Sequence, residues 1–210
     1  KKAGKEAYAF TMPLITKADG SKFGKSEGKA IWLDKNKTSA YELYQFLLNS
    51  EDVKVIDYLK FLTFLTKEEI EELEKVTAEA PFKREAQKAL AKAVVCDLHG
   101  EAEYEKALRI TNALFKGNIA DLTTEECEDS MKGFDAIQIP DGLALVDALV
   151  EAKIASSKRE AREWISQGSI QINGEKIKDN EFIVSKENAL SQGKSLVKRG
   201  KRNYYVIEIA

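Results

Sequence analysis

The spacing of apolar and polar positions changes twice along the chain, and each change marks a different kind of element. Residues 7 to 16, Ala-Tyr-Ala-Phe-Thr-Met-Pro-Leu-Ile-Thr, form a short apolar run rich in strand formers that stops at the turn signal Asp19-Gly20. The run predicts a buried strand entering a loop. So short a strand cannot make a sheet by itself, so its neighbours are expected to have been removed and the start of the sequence reads as a cut edge.

From Thr38 to about Phe134 the period becomes helical. Ser39-Ala40-Tyr41-Glu42, Thr66-Lys67-Glu68-Glu69 and Thr123-Thr124-Glu125-Glu126 all fit the capping box, in which a hydroxyl accepts a backbone N–H and the glutamate accepts one in return. Pro81 is expected to open a further helix through Ala89, Ala93 and Cys96 to Gly100, and the next helix to stop near Gly117. The segment predicts an all-helical domain of short antiparallel pieces.

At Gln138-Ile139-Pro140-Asp141-Gly142 the chain turns, and two short helices followed by strands are predicted. Leu143, Leu145, Val146, Leu149 and Val150 give the first helix an apolar face. Ser156 or Ser157 caps the second, which carries Ala161, Trp164 and Ile165 and ends at Gly168. Residues 169–172 and 175–177 flank Asn173-Gly174, a strong signal for a two-residue hairpin. Residues 195–198 and 204–209 flank a basic turn. A domain boundary is placed near Pro140.

Composition narrows the class. Of 210 residues, 43% are hydrophobic and 32% charged, enough apolar material for a core or several small ones. No apolar run approaches the roughly 20 residues that cross a bilayer, and no signal-peptide pattern follows the first lysines, so a soluble, cytoplasmic protein is expected. Cys96 and Cys127 lie far apart without metal-ligand spacing, and the chain has one histidine, so reduced thiols and no metal site are expected. Charge is unevenly spread: residues 1–37 carry net +5, 38–140 net −9 and 141–210 net +2. A polyanion would meet the two ends more readily than the middle.

The sharpest local feature is Asp19-Gly20-Ser21-Lys22-Phe23-Gly24-Lys25-Ser26-Glu27-Gly28. Glycines let backbone N–H groups approach a phosphate, and lysines supply compact charge where negative charge builds in nucleotidyl transfer. Taken alone, a loop of Gly, Lys and Ser is usually just a solvated turn. Its surroundings, residues 13–20 before it and Ile31-Trp32-Leu33-Asp34 after it, closely resemble the end of the catalytic domain of bacterial tyrosyl-tRNA synthetases, members of the class I aminoacyl-tRNA synthetases. There the loop is the local form of the KMSKS signature; Phe23 and Gly24 depart from its letters. The likeness continues through Tyr44-Gln45-Phe46, Leu98-His99-Gly100 and Arg109-Ile110-Thr111, and so covers essentially the whole chain.

The resemblance implies a multidomain protein, mainly α with an α+β end. Residues 1–37 would be a remnant of the Rossmann-type catalytic domain with the KMSKS-type loop, 38–140 a helical anticodon-binding domain and 141–210 a small α+β RNA-binding module of the S-four type. Lys22, Gly24, Lys25 and Ser26 would contact the phosphates of ATP, a substrate with its Mg²⁺, and Lys22, Lys25 and Ser26 would serve catalysis. His99 follows the lysine loop and cannot be the family's HIGH signature. The tyrosine and adenosine sites are missing, so the parent would be a tyrosine-tRNA ligase while this piece alone would be inactive.

In the last segment, Ser157-Lys158-Arg159-Glu160-Ala161-Arg162 opens a helix, and Lys194, Lys198, Arg199, Lys201 and Arg202 crowd a strand-turn-strand with no acid among them. A charged hairpin tip is often only a solvated turn, but two basic clusters in one small domain favour an RNA backbone surface. By resemblance to the S-four module, Ser157, Lys158, Arg159, Arg162, Lys198, Arg199, Lys201 and Arg202 would contact the backbone of the tyrosine tRNA along its long variable arm and anticodon side. The intact family is a homodimer; the piece would be monomeric. A stand-alone S-four type RNA-binding regulator without aminoacylation is the alternative.

Overall fold

A computed structural model describes residues 6, 8–26, 29–115, 119, 122–132, 134–200 and 203–210, the side chains of Ser26 and Lys29 excepted. The chain forms two compact units, Lys1–Trp32 with Phe46–Val94, and Leu33–Gln45 with Val95–Ala210.

In the first unit the expected buried strand does not form. Residues 8–15 have no strand partner, and Tyr8, Phe10, Met12 and Leu14 are 72 to 92% exposed. A strand is held by its neighbours' donors and acceptors, and among the described residues the run meets only the isolated bridge between Thr16 and Lys22. Beyond it, β1 (Lys25–Ser26) pairs antiparallel with β2 (Lys29–Ala30). Helix α1 (Ala40–Leu48), whose residues 40–45 belong to the second unit, and helices α2 (Asp52–Leu62) and α3 (Lys67–Glu79) follow. The predicted boxes hold at both α1, where Ser39 and Glu42 exchange bonds, and α3, where Thr66 and Glu69 do.

Pro81 opens only a 3₁₀ turn, Pro81–Lys83, because Arg84 takes the left-handed conformation at φ 54° and ends it. That conformation aims the Arg84 guanidinium at the carbonyl of Leu48 (2.8 Å), which the end of α1 leaves without an intrahelical donor, and at that of Ser50 (2.9 Å) in the connection to α2. Helix α4 (Glu85–His99) therefore starts four residues later than the proline suggests and stops as expected at Gly100, φ 90°.

In the second unit, α5 (Glu101–Phe115) and α6 (Thr124–Met131) are joined by ion pairs: Lys106 to Glu125 and Asp129, and Arg109 to Glu126. Thr123 and Glu126 form the third predicted capping box. Strand β3 (Ala136–Ile139) was not expected; its ladder partner lies some seventy residues on, so the local pattern reads only as a turn. After β4 (Leu143–Ala144) come α7 (Leu145–Glu151) and α8 (Lys158–Ser166), then β5 (Ile170–Ile172), β6 (Glu175–Lys176), β7 (Ile183–Val184), β8 (Lys194–Arg199) and β9 (Asn203–Ile209).

The main sheet has the order β3-β9-β8-β5-β6, with β3 and β9 parallel and the other pairs antiparallel; β4 and β7 form a separate pair. Asn173 (φ 52°) and Gly174 (φ 90°) make the predicted β5–β6 turn. One face of the sheet packs Ile170, Ile172, Val197 and Ile207 against Leu145, Leu149, Ala161 and Ile165 of α7 and α8. A helical amino-terminal region and a small α+β carboxy-terminal domain are thus the architecture of the chain.

Candidate nucleic-acid interface and phosphate loop

The lysine loop is built on an aromatic anchor in the first unit. Gly20, at φ 80°, lets the chain reverse so that Lys17 N–H donates to the Ser21 carbonyl at 2.8 Å and Phe23 N–H to that of Ile15 at 3.1 Å. Asp19 accepts the Ser21 N–H at 2.8 Å; bonds from Ser21, outweighing the small cost of burial, hold its carboxyl below the usual range. Phe23 packs on Tyr58 and Phe46 with ring centroids 4.3 and 5.1 Å away, and the Tyr58 hydroxyl donates to the Thr16 carbonyl. Phe23 is thus the residue that pins the loop.

Lys22 and Lys25 flank that anchor with exposed side chains. Gly24 sits at φ 86°, and a Cβ there would meet nothing within 4 Å, so its backbone is open to a ligand. Two compact cations beside an open glycine fit an oligophosphate. The side chain of Ser26 lies outside the described residues. Among those described, no group of three or more His, Cys, Asp or Glu is arranged to hold a metal ion.

In the second unit, Ser157 caps α8 by accepting the Glu160 N–H, while the Ser156 N–H and hydroxyl both donate to the Glu160 carboxylate at 2.7 Å. Those Ser156 bonds come first, and the Arg199 charge adds to them, in keeping Glu160 below the usual carboxylate range. Lys158, Arg159 and Arg162 are exposed, and Lys158 pairs with Asp147 at 2.6 Å. Cations in a first turn oppose the helix dipole, a placement that costs stability unless an anion joins them.

Arg199 at the end of β8 lies over the Trp164 ring, 4.5 Å from its centroid, so the basic end of β8 is tied by one cation–π contact to the last turn of the helix that opens with Lys158 and Arg159. Lys198 sits beside it in β8, while Lys194 is at the other end of that strand opposite Glu208. Lys201 and Arg202 lie outside the described residues. The Lys198 ammonium and the Tyr204 hydroxyl both donate to the Leu114 carbonyl, and Phe115 meets the Tyr204 ring edge-on at 5.6 Å.

Sequence reasoning singled out the cations but not the groups that orient them. The sequence places Trp164 only within the second helix of the last segment; the Leu114 carbonyl carries no sequence signal at all. Cys96 and Cys127 are not joined in a disulfide, and burial pushes the Cys127 thiol up. His99 closes α4 as expected, with its Nε2 buried and lacking a hydrogen-bond partner. No helix among the described residues is long and apolar enough to cross a membrane.

Residues 1–116 match the family described as tRNA synthetases class I (W and Y). The chain therefore belongs to the class I tRNA synthetase family of the tryptophanyl and tyrosyl enzymes. Residues 126–207 match the tyrosine–tRNA ligase SYY-like C-terminal domain, which gives the tyrosyl branch. The tyrosine–tRNA ligase of Bacillus pumilus is 48% identical over 206 residues, 97% of this chain and 49% of that protein. The tyrosine–tRNA ligase of Bacillus caldotenax is 50% identical over 205 residues, again 97% of this chain and 49% of the relative. A solution structure of a tyrosyl-tRNA synthetase C-terminal domain is 39% identical at a TM-score of 0.35, covering 47% of this chain and 100% of that one. The chain spans about half the length of the curated relatives it matches.

Proposed function

We propose that this chain is the part of a tyrosine–tRNA ligase that holds the tRNA and carries the loop for the ATP phosphates, acting in the cytoplasm. The observation that carries the reading is Arg199 stacked on Trp164, which sets a cation of the β8–β9 hairpin against the helix that carries Lys158, Arg159 and Arg162. On this reading residues 1–37 end the catalytic domain, 38–140 form the helical anticodon-binding domain and 141–210 the S-four type RNA-binding domain. Ser157, Lys158, Arg159, Arg162, Lys198, Arg199, Lys201 and Arg202 contact phosphates of a tRNA with a long variable arm, fixing its register without reading bases.

In the whole enzyme the tyrosine carboxylate attacks the α-phosphorus of ATP, and Lys22 and Lys25, with Ser26, hold the leaving pyrophosphate as its charge grows. ATP brings Mg²⁺ with it. A loop pinned at Phe23 presents its two lysines without having to order them at each turnover. The piece by itself has no tyrosine or adenosine site, makes no adenylate and is a monomer, the family's dimer contacts lying in the other half.

Filter-binding titrations of the chain against matched tRNAs with and without the long variable arm, at two salt concentrations, test the reading. The armed tRNA binds more tightly, and affinity falls steeply with salt. Equal affinity for both tRNAs would remove the assigned role of the last domain.

A further inference from the structure

Four side chains form a row across the sheet of the second unit. Lys176, Gln171, Lys198 and Tyr204 are successive register partners on β6, β5, β8 and β9. With strands about 4.8 Å apart, the row is roughly 14 Å long. Ile170, Ile172 and Val197, their neighbours along the strands, belong to the core on the opposite face, so alternation turns the row away from that core. Over the Tyr204 end stands Phe115, in the last turn of α5. Between them is a cleft of about 520 Å³ lined by Phe115, Gln171, Lys176 and Lys198, with the chain at Gly168 and Gly200.

We infer that this cleft receives one unpaired nucleotide of a bound RNA, with the base against Phe115, its edge on the Gln171 amide and the flanking phosphates on Lys176 and Lys198. The inference rests on the RNA-binding reading above and deepens it. The volume lies within the roughly 300 to 1,000 Å³ range of sites for compact ligands. Phe115 is 46% exposed yet held in place, because the Leu114 carbonyl next to it is bound from two sides by Lys198 and Tyr204. A fixed aromatic face in a cationic groove is what single strands require, since every base can stack and every nucleotide brings a phosphate.

The Gln171 amide offers both a donor and an acceptor to a base edge. Lys198 spends one of its three donors on Leu114 and keeps the others for phosphate. No carboxylate lines the cleft among the described residues, so nothing there repels an anion. A duplex cannot use the site, because its bases are stacked inside the helix; an extruded nucleotide can.

The test compares the chain with its Phe115→Ala, Phe115→Trp and Gln171→Ala variants on two RNA probes of equal phosphate count: a hairpin with 2-aminopurine in its single-stranded loop, and a blunt duplex. Phe115→Ala should weaken hairpin binding roughly tenfold and leave the duplex unchanged. Phe115→Trp should restore hairpin binding, and Gln171→Ala should weaken it several-fold. The 2-aminopurine fluorescence should be quenched on binding by the wild-type chain and not by Phe115→Ala. Equal losses on hairpin and duplex, or no loss on either probe, overturn the nucleotide site while the salt-dependent RNA surface stands. Failure of the wild-type chain to bind either RNA overturns both readings.

Discussion

Lys198 and Tyr204 face each other across β8 and β9 and donate to one acceptor, the Leu114 carbonyl, at 3.1 and 2.6 Å. That oxygen belongs to the last turn of α5, where intrahelical donors have run out. The hairpin therefore completes the helix, and the helix positions the hairpin. Tyr204→Phe removes the shorter bond while Lys198 still satisfies the carbonyl. The expected loss is about 1 kcal/mol in unfolding free energy by urea titration.

Asn173 ties the β5–β6 turn to β8. Its Oδ1 accepts the Leu196 N–H at 2.9 Å, and its Nδ2 donates to the Asn188 carbonyl at 2.7 Å, from a backbone at φ 52°. Asn173→Ala leaves the Leu196 donor unpaired and puts alanine where asparagine or glycine is favoured. Destabilisation of about 2 kcal/mol is expected from the same titration, with Asn173→Gly less harmful to the backbone but equally unable to bond Leu196.

Acid should loosen the pairing of α5 and α6. Burial raises the Glu126 carboxyl, but the Thr123 N–H and the Arg109 guanidinium outweigh it and hold the group below its ordinary 4.5. Asp129 is likewise raised by burial and lowered further by Lys106 and Lys132, to below 3.8. A depressed folded-state value gives stability that is present above the unfolded value and is lost as pH falls through the folded one. Unfolding free energy should therefore be level near neutrality and fall below about pH 4.5. In Glu126→Gln that acid slope should be shallower, as followed by urea titrations across pH.

The positive surface sets the salt response. Each phosphate contact contributes a slope of roughly −0.7 to −0.9 in log K against log salt. Replacing Arg159 and Arg162 together by glutamine should reduce the slope for the armed tRNA by roughly 2 and weaken that tRNA more than the armless one. A changed affinity with an unchanged slope would mean that neither arginine meets a phosphate.

For the lysine loop, the measurement belongs in an enzyme-length protein that contains it. Lys25→Ala should lower the maximal rate of tyrosine-dependent pyrophosphate exchange by tenfold or more while tyrosine affinity stays within about twofold, because the contact is made chiefly in the transition state. Phe23→Ala should lower the same rate by loosening the anchor on Tyr58 and Phe46, while Phe23→Tyr should retain most of it.

Local chemistry was enough to determine much of this protein. The three capping boxes, the Asn173-Gly174 turn, the stop at Gly100 and the two basic clusters each depend on residues within a few positions of one another, so the sequence carries their signals in the open. The tertiary structure alone decided the rest. Residues 8–15 carry strand-forming side chains, but a strand exists only where another chain segment supplies the ladder. Strand β3 has the reverse history, since β9 makes a strand of what reads as a turn. The cations were legible while their orientation was not: Arg199 is set by Trp164, and Lys198 by a backbone carbonyl eighty-four positions away, which no side-chain pattern encodes.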